Sequence, residues 1–475
     1  MILLKNTGRV LVVYLLLPAL FLMSCATYNQ QALSYYSSLQ GGDYEKASKA
    51  LDHNRLLKKQ RNRLLYLLEK GKVEHLLQRY DSSNRYFNEA DLLMEDARTT
   101  AGDMIAGTLL NPMVQTYQGE PFEKYMVHYY KAINYLQLNQ TEEALVEARR
   151  INLRTYMQES STGSKQYSED AFSHMLQGMI YEKSGDINNA FIAYRNAVNV
   201  YLEHGLAYYG TAMPGQLKKD LLRMAYLNGF TDELERYEGL LDLRFEHDWI
   251  KPGGELILFW ENGLAPVKRE QNLFFSLVKD NGGNLFFVDG GGSYSIPFDL
   301  GSGYNTGNIS ASDLRSFRVA LPVYEEQPLR YSGVEISLND SSYHAEPAQN
   351  INDLALATLR ERRLKDLSKT LTRLAIKKIA EEAARPKEDE KDKKKKQNGE
   401  AIALGLQLFS LASEKADTRN WQSLPHTIYY TRVPLNKGLN TVSLDIQRPN
   451  GKSKNLRLDI SNTGGLVFQN ICTVR

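Results

Sequence analysis

The sequence predicts a multidomain protein, α-helical first and then β: an α-solenoid of helix pairs, followed by a β-sandwich-like domain that a helical hairpin interrupts. Three observations predict it. Small and large apolar residues recur at helical spacing between residues 31 and 248. After Trp249 that spacing stops, and short apolar segments alternate with turns rich in Gly and Asn. A leucine-striped helical segment and a charged run then separate two groups of predicted strands.

The N-terminus predicts a lipid anchor. Residues 1–24 contain Lys5 and Arg9, then an apolar run of signal-peptide length, and they end at Cys25. The residues Leu22–Cys25 resemble a bacterial lipobox, in which acyl chains are attached to the cysteine. Residues 25–30 then form a lipidated tether, and Ala26 favours the outer membrane. We expect the body of the protein to face the periplasm. The alternative is an ordinary signal peptide with an accidental cysteine.

Composition excludes several classes of protein. The 475 residues allow roughly three domains. The chain has 58 Lys and Arg against 56 Asp and Glu, and loss of Lys5 and Arg9 with the leader leaves 56 of each sign. A neutral mature chain argues against a nucleic-acid partner. Two cysteines cannot form a disulfide framework or a four-thiolate metal site, and we expect Cys472 to be a buried structural thiol.

The region 31–248 has an internal repeat typical of packed helix pairs. Gly178 is followed by Ala190, Tyr194 and Ala197; the same offsets lead from Gly71 to Ser83, Phe87 and Ala90, and from Ala132 to Ala144, Ala148 and Ile151. Small residues allow two helices to cross closely, and large ones fill the gap to the next pair. The region therefore resembles a tetratricopeptide (TPR) solenoid. The largest insertion, Ala101–Glu120, is interpreted as an extra helix or as an apolar flap.

The resemblance to TPR proteins implies that a protein partner binds the concave face of the solenoid. The partner is unknown. The candidate contacts are Asn134, Tyr135, Arg149, Arg150 and Tyr181. Large aromatic residues also form the core of such repeats, so the tyrosines have a structural alternative.

The β domain is predicted in two pieces, 249–345 and 419–475. We expect strands of the first piece to pair with strands of the second, because neither piece can bury both faces of a sheet alone. Between them lies the hairpin insertion, 346–418, with one helix over 351–384, a charged loop at 385–398 and an apolar helix over 401–412. The apolar helix either packs on the first one or inserts into the membrane or a partner.

Several segments together resemble an uncharacterised family of bacterial TPR lipoproteins. They are Asn111, Tyr117, Gly119, Glu120 and Glu123, then Tyr130–Leu136, Ala144–Arg150, Glu261–Glu270 and Glu414–Pro425. The resemblance covers most of the mature chain. It implies a surface or periplasmic lipoprotein without known catalytic residues, and it suggests a place in cell-envelope assembly.

Two of these segments carry motifs of unknown role: Glu261, Asn262 and Gly263, and also Asp417, Arg419 and Trp421. We interpret the first as a turn that closes a strand. We interpret Asp417 and Arg419 as an ion pair and Trp421 as an anchor that fixes the insertion on the β domain.

The spacing of reactive residues gives no catalytic motif. None of the eight histidines has a metalloprotease-type spacing, and Glu246, His247 and Asp248 cannot converge on one ion from a single element. The residues Ser276–Lys279 match the SxxK motif but lie in a predicted strand, which separates the two side chains. We therefore expect no enzyme activity, cofactor, metal or small-molecule substrate.

The favoured hypothesis is a non-enzymatic, lipid-anchored scaffold of the cell envelope that binds a protein through its solenoid. The alternative is a regulator or assembly factor of envelope polymer synthesis, such as a peptidoglycan-synthase activator. A third hypothesis is an enzyme whose site converges only in three dimensions.

Overall fold

A computed structural model describes residues 28–95, 112–162, 170–279, 284–298, 317–383 and 415–474. The first part of the chain is helical and the second is rich in strands that form several sheets, as the sequence predicts. The predicted signal peptide, Cys25, the segment 101–111, the charged loop and the apolar helix over 401–412 lie outside the described residues.

Eleven helices precede the strand-rich part in the described ranges. They are α1 (Tyr28–Gln31), α2 (Leu33–Gln40), α3 (Tyr44–His53), α4 (Arg63–Leu76), α5 (Tyr80–Glu95), α6 (Pro121–Gln137), α7 (Thr141–Thr162), α8 (Ala171–Lys183), α9 (Ile187–Glu203), α10 (Gly215–Leu227) and α11 (Thr231–Leu241). From α2 onward consecutive helices pack as five pairs. A small hairpin, β1 (Ala207–Tyr208) and β2 (Thr211–Ala212), precedes α10.

The repeated small residues lie at the contact inside each pair. A Cβ atom on Gly178 would lie 2.5 Å from Cε1 of Tyr194, and one on Gly71 would lie 2.7 Å from Cε1 of Phe87. In the third pair Ala132 and Ala144 are fully buried. Only small residues allow such close crossing, glycine at the first two positions and alanine at the third, so the sequence repeat corresponds to TPR-like helix packing.

The strand-rich part contains three four-stranded sheets within the described residues. The strands are β3 (Glu255–Asn262), β4 (Val267–Lys279), β5 (Leu285–Asp289), β6 (Ser295–Phe298), β7 (Phe317–Glu325), β8 (Gly333–Leu338), β9 (Ser341–His344), β10 (Glu346–Asn350), β11 (Thr427–Pro434), β12 (Gly438–Gln447), β13 (Ser453–Asn462) and β14 (Leu466–Thr473). The orders are β10-β11-β3-β14 in sheet 1, β13-β12-β8-β9 in sheet 2 and β6-β5-β4-β7 in sheet 3. Three of these twelve strands, β6, β9 and β10, are too short to give a clear alternation in the sequence.

The two sequence pieces pair as predicted. Strand β3 lies between β11, which is antiparallel to it, and β14, which is parallel to it. In sheet 2, β8 from the first piece pairs with β12 from the second. Both neighbours of β3 therefore come from the far side of the insertion.

Sheet 1 is a middle layer, because both of its faces are covered. Every residue of β3 is buried. Ile257 and Phe259 belong to the hydrophobic core shared with the solenoid, whereas Leu258 and Trp260 belong to a second core shared with sheet 2. Because side chains alternate between the two faces of a strand, neighbouring residues of β3 lie in two different cores.

A twelfth helix, α12 (Ile351–Ala383), connects the solenoid to sheet 3. Its first turns pack against α6 and the shared core, and Leu367, Leu371 and Leu374 cover sheet 3. By its helical spacing Leu364 belongs to the same leucine stripe, but this residue is 62% exposed because the contact with sheet 3 begins at Leu367. No helix among the described residues is both long enough and apolar enough to cross a membrane.

Candidate functional site

The β part covers the side of the solenoid on which a partner was expected. We call this side the first-helix face; it is formed by the first helix of each pair, namely α2, α4, α6, α8 and α10. Each of these helices donates a side-chain hydrogen bond to the β part: Gln40 to Gln327 (3.3 Å), Lys72 to Glu261 (2.5 Å), Tyr130 to Glu261 (2.9 Å), Lys183 to the Leu466 carbonyl (2.8 Å) and Arg223 to Glu255 (2.7 Å). In the conformation described, the β part therefore occupies this face.

The centre of the contact is a buried polar cluster around Glu261. Its Oε2 accepts hydrogen bonds from Lys72 and Tyr130, and its Oε1 accepts one from Asn470 at 2.8 Å. Cys472 lies at the same carboxylate, with its Sγ 3.1 Å from Oε2. The motif residue Glu261 thus ties β3 to helices α4 and α6.

At neutral pH this cluster contains one ion pair, which is surrounded by uncharged side chains. Burial opposes ionisation of Glu261, but the Lys72 ammonium, His75 and the hydrogen bonds from Lys72 and Asn470 together outweigh it and lower the pKa of Glu261 to about 2. Burial, with a contribution from Lys72, lowers the pKa of His75 to about 4. Burial and then Glu261 raise the pKa of the Cys472 thiol well above its usual value. At neutral pH, Lys72 and Glu261 are charged while His75 and Cys472 are neutral.

A metal ion does not fit this cluster well. His75, Glu261 and Cys472 do offer ligand atoms within 4.8 Å of one another. However, the Lys72 Nζ is already 2.5 Å from Glu261 and 3.5 Å from Cys472, so a positive charge lies between two of the three donors. A metal would also require the Cys472 thiolate, which its raised pKa opposes. The arrangement of His75, Glu261 and Cys472 around Lys72 therefore supports a structural role and not metal binding.

A second buried network joins the last helix pairs to sheet 1. Arg432 of β11 lies 2.6 Å from Glu182 and 2.9 Å from Asp220, and Arg223 of α10 lies 2.7 Å from Glu255. Burial opposes the charge of Arg432, but the surrounding carboxylates, Asp220 first, raise its pKa well above the usual value. Each charge has a partner from the other part of the molecule, which fixes their relative position.

The Asp417–Trp421 motif also contacts the solenoid. Arg419 is almost fully buried and binds Asp417 at 2.7 Å, as predicted, but it also donates to Asn62 at 2.7 Å. The Trp421 ring packs against Phe87 and Tyr130. The motif was expected to fix the insertion on the β domain. Its segment does contact β4, where the Lys268 ammonium donates to the Arg419 carbonyl at 3.2 Å, but Trp421 packs on helices α5 and α6 of the solenoid.

Asn262 and Gly263, which follow Glu261 in its motif, have local structural roles. The Asn262 side chain donates to the Tyr331 carbonyl at 3.0 Å. Gly263 has a φ of +71°, and a Cβ atom there would lie 2.7 Å from Leu329. The turn interpretation is consistent with this geometry.

The five predicted partner contacts separate into two groups. Asn134 is fully buried: it accepts a hydrogen bond from His75 at 2.6 Å and donates to Ser83 and Asn84. Its side chain therefore cannot touch a partner, and that prediction is wrong, because residues on the inner side of α6 face the neighbouring pair. The other four remain at or near the surface.

Those four residues form what we call the tyrosine–arginine patch: Tyr135, Arg149, Arg150 and Tyr181. Arg149 donates to the Tyr181 hydroxyl at 2.9 Å and lies 5.3 Å from its ring centre. Arg150 is 46% exposed in its side chain and binds Asp91 at 3.1 Å. Burial, followed by Glu147 and Glu143, raises the pKa of Tyr135, and the nearby Arg150 opposes this. The patch lies on helices α6, α7 and α8.

Sequence reasoning missed the partners of Glu261 and Glu255, which are Lys72 and Arg223. Lys72 and Arg223 lie in helices where charged residues normally face solvent, and nothing in their spacing marks them as buried. Tyr129 and Tyr130 also both donate to Glu261, and the sequence gives no sign of this contact.

Comparison with known proteins gives no family assignment. No protein-family model matches the sequence, and no curated protein matches it. Among solved structures, MamA from Desulfovibrio magneticus matches with 14% identity over 46% of this chain and 96% of that one, at a TM-score of 0.29. A putative kinesin light chain with TPR-like repeats from Podosopora anserina matches with 12% identity over 45% of this chain and 92% of that one, at 0.30. The apo form of RapI matches with 11% identity over 50% of this chain and 60% of that one, at 0.33. At these TM-scores the likenesses carry no argument, and the TPR-like character rests on the helix packing described above.

Proposed function

We propose that this chain is a non-enzymatic protein-interaction scaffold of the cell envelope, held at the periplasmic side of the outer membrane by acyl chains on Cys25. The observation that carries the scaffold role is the way solenoid and sheets are joined. Four charged groups could have served chemistry: Lys72, Glu261, Arg432 and Glu182. The first three are buried, Glu182 is nearly so, and they are paired with one another across the contact. Their geometry supports a fixed body that presents its outer surface.

The tyrosine–arginine patch is the proposed partner site. Tyr and Arg are the residues most enriched among those that dominate protein–protein affinity. Tyr181 fixes the Arg149 guanidinium through a hydrogen bond and a contact with its ring. Little side-chain freedom is therefore lost when a partner binds. This surface replaces the first-helix face as the proposed site, because the β part contacts that face.

The test is partner recovery from crosslinked cells with an Arg149→Glu variant. We expect recovery to fall severalfold while the melting temperature stays unchanged, because Arg149 is exposed. The matched control is Arg236→Glu on α11. Arg236 also lies 5.3 Å from a tyrosine ring centre, that of Tyr237, but far along the solenoid. Equal recovery with Arg149→Glu and with the parent chain would remove the patch as the binding site; an envelope polymer synthase among the captured proteins would favour the regulator alternative.

The anchor is tested separately with Cys25→Ala. We expect this change to block processing and to move the protein from the membrane to the soluble fraction, since several acyl chains provide the attachment. A variant that still sediments with outer membranes after a high-salt wash would contradict the anchor.

A further inference from the structure

Helix α12 carries an exposed basic surface that the scaffold role does not use. Between residues 360 and 375 the sequence has two acids, Glu361 and Asp366, against the bases Arg360, Arg362, Arg363, Lys365, Lys369 and Arg373. Arg362 is engaged by Glu120, and Arg363 by Gln271. Arg360, Lys365 and Lys369 are exposed, and the exposed Leu364 lies among them. We call these four residues the α12 patch.

A continuous series of contacts connects this surface to the start of the described chain. The Asn29 side chain donates to the Lys268 carbonyl at 2.9 Å. The Lys268 ammonium binds Glu120, and Arg362 of α12 binds the other oxygen of the same carboxylate at 2.7 Å. One lysine side chain and one carboxylate therefore separate the N-terminal segment from α12.

The proposed lipid attachment is close to the same place. Cys25 is three residues before Tyr28, which is fully buried, and three extended residues span at most about 10 Å. An anchor at Cys25 would therefore keep a bilayer in the neighbourhood of the N-terminal half of α12. This step rests on the proposed anchor.

We propose that the α12 patch binds the anionic headgroups of that membrane and so fixes the orientation of the body above it. Lys and Arg side chains supply the complementary charge, each favouring an anionic surface by about fivefold. Leu364 supplies an apolar side chain that can enter the headgroup region. The anchor holds the protein at the surface, and the patch determines which side faces it.

The experiment uses the lipidated full chain in vesicles of phosphatidylcholine with about 30% phosphatidylglycerol, an anionic lipid. An environment-sensitive fluorophore is attached at Leu364→Cys or, as the matched control, at Leu439→Cys on sheet 2, where the leucine is 74% exposed. We expect a blue shift and quenching by lipid-borne quenchers at position 364 only. The triple variant Arg360→Glu, Lys365→Glu, Lys369→Glu should still float with the vesicles, but its signal at 364 should fall to that of 439.

Two results would overturn the proposal. The first is a label at 364 that behaves like the one at 439 in protein that floats. The second is an equal signal on vesicles of phosphatidylcholine alone, which would remove the role of charge. If the chain does not float, the anchor has failed instead, and unlipidated chain is added to the same vesicles. Binding that needs phosphatidylglycerol and falls at least tenfold in the triple variant then supports the patch, and absence of such binding contradicts it.

Discussion

At the scale of single residues, small side chains determine how closely the helices of a pair approach. Gly178→Ala would place a methyl group 2.5 Å from the Tyr194 ring, and the ring cannot retreat because it is fully buried. We expect a loss of about 1–3 kcal/mol in the free energy of unfolding, measured by urea denaturation.

Gly239→Ala is the matched control for that prediction. Gly239 also lies in a helix, α11, but nothing lies within 4 Å of an added Cβ atom. The change should increase stability by roughly 0.5–1 kcal/mol, because alanine favours helix and restricts the unfolded chain. Equal effects of the two substitutions would show that Gly178 is not at a close contact.

His75 predicts a dependence of stability on pH. Its pKa is lowered from 6.5 to about 4 in the folded protein, so the unfolded chain binds the proton first as the pH falls. The stability that His75 provides is therefore complete above about pH 6.5 and is lost as the pH falls toward 4, by about 3 kcal/mol at most.

The variant His75→Asn isolates this contribution, because its amide can still donate to Asn134 in place of Nδ1. Other groups titrate in the same range; Glu123, whose pKa burial and then Glu120 raise to about 7, acts with the opposite sign. The measurement is therefore the stability difference between parent and variant at pH 7 and at pH 5. We expect the parent to lose more stability than the variant on acidification, and parallel losses would contradict a neutral buried His75.

At the scale of elements, β3 is the strand on which the β part depends. Both of its neighbours, β11 and β14, follow the insertion, and its two faces lie in different cores. A fragment of residues 250–345 leaves β3 without either neighbour. We expect an insoluble or molten product, detected by dye binding and by loss of near-ultraviolet circular dichroism. A fragment that unfolds cooperatively would contradict this dependence.

At the scale of the whole molecule, solenoid and sheets share one core, so we expect them to unfold together. Arg432→Leu leaves Glu182, Asp220 and Glu255 without one of their cations, and the free energy of unfolding should fall by roughly 3–5 kcal/mol. Helical circular dichroism and the fluorescence of Trp260 and Trp421, both buried, should report one common midpoint.

The matched control for this prediction is Arg269→Leu. Arg269 also pairs with a glutamate, Glu325, at 2.6 Å, but both side chains are more than half exposed, so little stability should be lost. Two separate transitions in the parent chain would contradict the shared core, and an equal loss in both variants would contradict the importance of burial.

The sequence by itself determined the features that depend on local spacing. The offsets after Gly71 and Gly178 predicted the helix pairs, the change of pattern after Trp249 predicted the strands, and the interrupted strand groups predicted pairing across the insertion. Such patterns follow from helix and strand geometry, which each segment carries in its own residues. The lipid anchor at Cys25 stays a prediction on the same basis.

Only the tertiary structure decided where these elements meet. Sheet 1 packs on the first-helix face, so Lys72 and Arg223 are buried beside Glu261 and Glu255, Asn134 is an internal residue, and Trp421 anchors to the solenoid. Lysine and arginine are usually exposed, and their burial becomes favourable only when a carboxylate on another element supplies the opposite charge. For Lys72 that carboxylate, Glu261, lies more than a hundred residues away in the sequence. A pattern of spacings within one segment contains no information about that distant partner.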